Sequence, residues 1–152
     1  MSVIALDPGN STGWCFRTND GKLIGGTIGE NHKDVWDLLC KCNPDVVVYE
    51  TFQMYPGKAQ KLIWNTFYPC EVIGVIKAWV NLHPEKMYVV EPEREERIPV
   101  SRTLIGLQPS VKKFALSNSE LELWKTVECE HATEHMRDAV RLLRYYERHY
   151  SK

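Results

Sequence analysis

Ser2-Val3-Ile4-Ala5-Leu6-Asp7-Pro8-Gly9-Asn10 is a short apolar run with β-branched residues that stops at a cluster of turn formers. It predicts a buried strand over 2–6 that runs into a tight loop. Just beyond, 13–17 and 22–28 flank Thr18-Asn19-Asp20-Gly21, whose Asp-Gly pair is a strong hairpin signal. The first thirty residues therefore predict three antiparallel strands.

Working outward, 31–42 places Val35, Leu38, Leu39 and Cys42 at helical spacing ahead of Pro44, which predicts an amphipathic helix. Asp45-Val46-Val47-Val48-Tyr49-Glu50 follows, a continuous β-branched run suited to a central strand buried on both faces. A helical pattern spans 59–82, interrupted near Pro69, and 87–90 predicts a fifth strand. The stretch 91–120, with prolines at 92, 99 and 109, predicts a loop and a short helix. The chain closes on a helix over 133–149 whose apolar arc is Ala139, Val140, Leu142, Leu143 and Tyr146. The fold class this implies is α/β: a mixed five-stranded sheet, three antiparallel strands and then parallel ones, flanked by helices, in one domain over 1–152.

With 43% hydrophobic and 26% charged residues and a net charge of -1 over 152 residues, the composition excludes disorder or a polybasic arm as the main feature. No apolar run is long enough to cross a bilayer, and the opening residues lack the pattern of a signal peptide. No membrane partner and a cytoplasmic location, in a bacterium or a phage-infected host, are the expectation. The five cysteines are odd in number and read as reduced small hydrophobes.

Three carboxylates stand at element ends: Asp7 after the first strand, Glu50 after the fourth, and Asp138 in the first turns of the last helix. Strand ends on one side of an α/β sheet form the usual crevice for ligands. If the first and fourth strands are parallel neighbours, Asp7 and Glu50 emerge side by side, and a helix packed on that edge adds Asp138. His135 lies about 60° around the same helix. Converging carboxylates repel unless a cation sits among them, and hard oxygen donors select Mg²⁺ or Mn²⁺. Two such ions can activate water and stabilise a leaving oxygen in phosphodiester hydrolysis.

The pieces Ile4-Ala5-Leu6-Asp7-Pro8-Gly9-Asn10-Ser11-Thr12-Gly13, Val46-Val47-Val48-Tyr49-Glu50 and His135-Met136-Arg137-Asp138-Ala139 resemble, in order and element type, the motifs of RuvC-like Holliday junction resolvases of the RNase H-like superfamily. The resemblance implies an RNase H-like fold, a homodimer, and metal-dependent cleavage of branched DNA such as four-way junctions, flaps or forks. It makes Asp7, Glu50 and Asp138 metal-binding carboxylates of a two-ion Mg²⁺ site at which Mn²⁺ can substitute. His135 takes a position filled in that family by His or Asp, as a ligand or a proton carrier. The Gly- and Lys-rich stretch of the bacterial resolvases has no counterpart. Val111-Lys112-Lys113-Phe114 and an acidic run over 120–130 stand in its place, which points to a phage-type or divergent member.

For DNA contact, residues 94–113 hold Arg94, Arg97, Arg102, Lys112 and Lys113 against Glu95 and Glu96, a local charge of +3. Arg137, Arg141, Arg144 and Arg148 form a stripe on the last helix, opposite its apolar arc, which a solvated face explains equally well. Phe52, Tyr55 and Trp64 could wedge against bases or serve as core or dimer contacts. Cys129, His131 and His135, with Cys40 and Cys42, suggest zinc, but their spacing matches no closed zinc site. The loop Asp-Pro-Gly-Asn-Ser-Thr-Gly also looks like the phosphate loop of actin-like ATPases, which need two such domains where 152 residues supply one. An RNase H acting on RNA–DNA hybrids and a non-catalytic RNase H-like module complete the alternatives.

Overall fold

A computed structural model describes residues 1–52, 67–94, 96–112 and 124–150. Strand β1 (Val3–Asp7) is buried along its whole length. It pairs antiparallel with β2 (Thr12–Arg17) on one side and parallel with β4 (Val46–Glu50) on the other. Beyond β2 lies β3 (Leu23–Ile28), joined to it through the turn at Gly21, whose φ of 91° suits glycine. The predicted three-strand meander is present.

Helix α1 (His32–Cys42) begins where Asn31 accepts a hydrogen bond from the Asp34 N–H, and it ends at Asn43 in the left-handed region, just before Pro44. Helix α2 (Tyr68–Leu82) starts with Pro69 in its first turn, where the missing N–H costs nothing. Phe67 before it is extended, so no helix runs continuously through Pro69. The remainder of the helical expectation, 59–66, lies outside the described residues. Helix α3 (Glu134–His149) buries the whole predicted arc and Met136 as well.

The fifth strand of the sheet is not the one expected. Glu85–Glu91 is β5, but it pairs with β6 (Glu96–Ser101) as a separate two-stranded sheet. The strand that completes the main sheet is β7 (Thr103–Leu107), parallel to β4, from a segment expected to be loop. Its run Thr-Leu-Ile-Gly-Leu is only five residues long and is bracketed by Pro99 and Pro109, which mask it. The order is β3-β2-β1-β4-β7, a mixed sheet as predicted.

Alternation along the strands divides the core. Val3, Ala5, Val46, Val48 and Leu107 meet Ala139, Val140, Leu142 and Leu143 of α3. Ile4, Leu6, Val47 and Tyr49 face the other way, onto Val35 and Leu39 of α1 and Val72, Ile76 and Trp79 of α2. Helices thus cover both faces of β1 and β4, which explains their unbroken apolar character. No helix among the described residues is long and apolar enough to cross a membrane.

The edge where β1 and β4 begin is closed by a polar knot. Buried Asp45 accepts hydrogen bonds from the Ser2 N–H at 2.7 Å, the Ser2 hydroxyl at 2.9 Å and the Tyr88 hydroxyl, with the Lys86 ammonium 3.8 Å away. Burial works to raise the Asp45 carboxyl, but the bonds from Tyr88 and Ser2 and the Lys86 charge outweigh it and hold it below the ordinary value. Burial and the same carboxylate push the Tyr88 phenol up to about 12. Because the folded-state pKa of Asp45 is depressed, its contribution is present above the unfolded-state value near 3.9 and is lost as pH falls through the folded-state value. Asp45→Asn is expected to lower unfolding free energy by about 2 kcal/mol at neutral pH. Chemical denaturation below about pH 4 should then show the gap to wild type closing.

Candidate active site

At the opposite edge, where the parallel strands end, alternation sets the direction of the carboxylates. Val3 and Ala5 face α3, and Asp7 is next on that side; Val46 and Val48 face α3, and Glu50 is next. Leu6 stands opposite Tyr49, so Asp7 and Glu50 lie one step further along strands that neighbour one another at about 4.8 Å. Asp7 is only 8% exposed, unusual for a carboxylate, and Glu50 is half-buried.

Glycine explains how α3 reaches this edge. Gly13 is the β2 partner of Asp7, and a Cβ on it would lie 1.8 Å from the His135 carbonyl oxygen and 2.6 Å from the Met136 nitrogen. Only a residue without a side chain lets the first turn of α3 rest on the strand here. The Thr133 hydroxyl accepts a hydrogen bond from the Met136 N–H and lies 2.6 Å from the Thr27 hydroxyl on β3, opposite Gly13. Glu128, just upstream, bridges to the same strand through its backbone. On the other side, the Thr51 N–H donates to the Leu107 carbonyl at 2.8 Å, which holds the chain extended past Glu50.

Asp7, Glu50 and His135 consequently line one open cavity of about 460 Å³, walled also by the Pro8–Ser11 turn, Phe52 and Pro69. Asp138 does not join them. Its carboxylate pairs with Arg141 at 3.0 Å and faces an adjoining polar hollow of about 280 Å³ with Glu134 and Arg137. Among the described residues, no three His, Cys, Asp or Glu side chains stand together as a closed metal-ligand set. The donor chemistry of the cleft still fits a hard divalent ion: two carboxylates on adjacent strands, with His135 lining the same cavity. The zinc grouping is not formed, since Cys129 and His131 line a different groove beside β3 while His135 lines the cleft. Cys40, Cys70 and Cys129 are exposed free thiols, and Cys15 is buried, with burial pushing its thiol up to about 12.

The basic residues expected to form one DNA-binding loop are divided by the fold. Arg94 and Arg97 are exposed on the β5–β6 hairpin, which is rooted at the closed edge beside Asp45. Arg102 departs most clearly from the expectation. Its guanidinium donates to the Pro44 and His83 carbonyls and to the Asn43 side chain, and it covers the Trp79 ring at 4.4 Å. Three hydrogen bonds and a stacked ring make it a clamp between α1, α2 and β7. Lys112 closes a 3₁₀ turn after β7, on the side of the cleft, and Lys113 lies outside the described residues. Phe52 is on the cleft wall and packs on Phe67, whereas Tyr55 and Trp64 fall outside the described residues.

The architecture has solved counterparts. RuvC of Thermus thermophilus, in complex with Holliday junction substrate, superposes with a TM-score of 0.57 over 99% of this chain and 97% of its own at 17% identity. The chain has the RNase H-like fold of the RuvC resolvases. The Holliday junction resolvase of fowlpox virus matches with a TM-score of 0.56 over 97% of this chain and 99% of its own, at 12% identity. No protein-family model and no curated protein matches the sequence. Within this RuvC-like frame, the parts not evident from motifs alone are Gly13 as a seat and Thr27, Thr51 and Thr133 as fasteners. Thr133 could have been found as a helix-capping residue, but the cross-strand partners of Gly13 and Thr51 are set only by register. Gly13→Ala is expected to lower stability by at least about 2 kcal/mol, because backbone must shift to admit the methyl group. Gly29→Ala, with open space around its Cβ, should change it by less than about 0.5 kcal/mol in the same denaturation measurement.

Proposed function

We propose that the protein is a divalent-metal-dependent, structure-selective endodeoxyribonuclease that cuts Holliday junctions or other branched DNA. The observation that carries this reading is the meeting of Asp7, Glu50 and His135 at one cavity on the open edge of a RuvC-like sheet. The related folds were solved as resolvases, one of them with junction DNA in place.

Asp7 and Glu50 are the proposed holders of Mg²⁺, with Asp138 completing a two-ion site and Mn²⁺ able to substitute. When bound, such ions make a water acidic enough to attack phosphorus and neutralise the 3′-oxygen as it leaves. Asp7, buried against the strand pair, presents its carboxylate from a rigid base, and Glu50 is held in line by the Thr51–Leu107 bond. His135, exposed on the first turn of α3, can accept or return a proton at the reacting phosphate. The products expected are a 5′-phosphate and a 3′-hydroxyl. Resolving a four-way junction takes two symmetric cuts, and one cleft per chain therefore asks for two chains, in keeping with a homodimer.

The test compares wild type with Asp7→Asn on a four-way junction, a flap, a linear duplex and an RNA–DNA hybrid, with Mg²⁺ or with chelator. Branched DNA should be cut only with metal, and Asp7→Asn should slow cutting by at least about a hundredfold. Cleavage of the hybrid alone would assign the site to RNase H chemistry. Undiminished activity in Asp7→Asn would overturn the metal-site assignment.

A further inference from the structure

The cleft and the polar hollow beside it share one helix turn, yet the carboxylate needed in the first is held in the second. Asp138 and Arg141, three residues apart on α3, are paired at 3.0 Å with side chains 27% and 24% exposed. Arg137 lines the same hollow with its guanidinium over the Trp124 ring. The Nε groups of Arg137 and Arg141 are buried and, among the described residues, have no hydrogen-bond acceptor. The hollow therefore combines a carboxylate paired with a guanidinium and guanidinium donors whose hydrogen-bonding capacity is not used up.

We propose that Arg141 acts as a stand-in cation that keeps Asp138 out of the metal cleft until a DNA backbone phosphate takes over its guanidinium. The proposal rests on the nuclease reading above. Guanidinium matches phosphate oxygens in the same forked geometry as carboxylate, so one partner can be exchanged for the other without loss of hydrogen bonds. A partly exposed ion pair of this kind, between neighbours on one helix, is weak enough to be exchanged. While the pair is closed, the Arg141 guanidinium offsets the Asp138 charge beside the cleft that Asp7 and Glu50 line. Once a phosphate engages Arg141, Asp138 is released as a third carboxylate. Metal and DNA then strengthen one another's binding, as linkage requires. Arg141 is a positioning residue here, acting through Asp138.

The first measurement is a titration of the metal-free, full-length protein with Mn²⁺ in the absence of DNA, followed by the electron paramagnetic resonance of free Mn²⁺. R141Q should bind Mn²⁺ about tenfold more tightly than wild type, and D138N/R141Q should lose that gain relative to D138N. Unchanged affinity in R141Q overturns the proposal. So does a gain that persists beside D138N, because it would reflect only the removal of a nearby positive charge. The second measurement uses the wild type: the Arg141 Nε–H signal in ¹⁵N spectra should move when junction DNA is added without metal, and a signal that stays in place while others move also overturns it. If DNA shifts no signal anywhere, the nuclease reading fails instead, while the Mn²⁺ comparison still decides whether Arg141 restrains Asp138.

Discussion

The first turn of α3 rests directly on the Cα of Gly13, and the geometry of the cleft depends on that contact. Asp7 and Gly13 are cross-strand partners, so whatever lies over Gly13 also lies beside the buried carboxylate. A side chain there would lift the helix, and His135 would leave the cavity that Asp7 and Glu50 line. The apolar seam between α3 and the sheet, from Ala139 to Tyr146, holds the helix down along its length. The threonines at 27 and 133 pin its start. Packing and polar contacts therefore fix the same point, and the site stands on regular elements with its few irregular residues between them.

The two edges of the sheet have opposite characters. Where β1 and β4 begin, the buried Asp45 is surrounded by donors from Ser2, Tyr88 and Lys86, and Arg102 ties three elements together nearby. Where the same strands end, carboxylates and an imidazole face an open cavity. Parallel strands covered on both faces by helices leave only their ends for chemistry, and the closed edge supplies rigidity to the open one. The hairpin of β5 and β6 is rooted at the closed edge, and Arg102 is engaged there with Asn43, Pro44 and His83.

Much of this was legible in the sequence, for local reasons. The apolar run 2–6, the Asp-Gly turn and the β-branched run before Glu50 each carry their own periodicity, and β1 to β4, α1 and α3 lie where those patterns place them. Legibility ended where the deciding contact is long-range. β7 is a strand because β4 offers it a partner, since its own five residues between prolines are a weak signal. Met87-Tyr88-Val89-Val90 reads as a strand and is one, but no local feature says that it pairs with β6 instead of the main sheet. Asp7, Glu50 and His135 could be anticipated to share an edge. The pairing of Asp138 with Arg141 could not, because a carboxylate in the first turns of a helix with several arginines gives no sign of which neighbour it will choose.

The net charge of -1 conceals a division that the fold makes spatial. The arginines of α3 stand on the helix that borders the cleft, two of them engaged with Asp138 and Glu147, and under the proposed function the carboxylates of the cleft take up cations before phosphate is bound. Affinity for DNA is accordingly expected to be modest, salt-sensitive and dependent on bound metal. The measurement that tests this account most directly is anomalous diffraction from crystals grown with Mn²⁺. An anomalous peak between the carboxylates of Asp7 and Glu50, facing His135, is the predicted result; at saturating Mn²⁺, an empty cleft or a peak only beside Cys129 and His131 would contradict it.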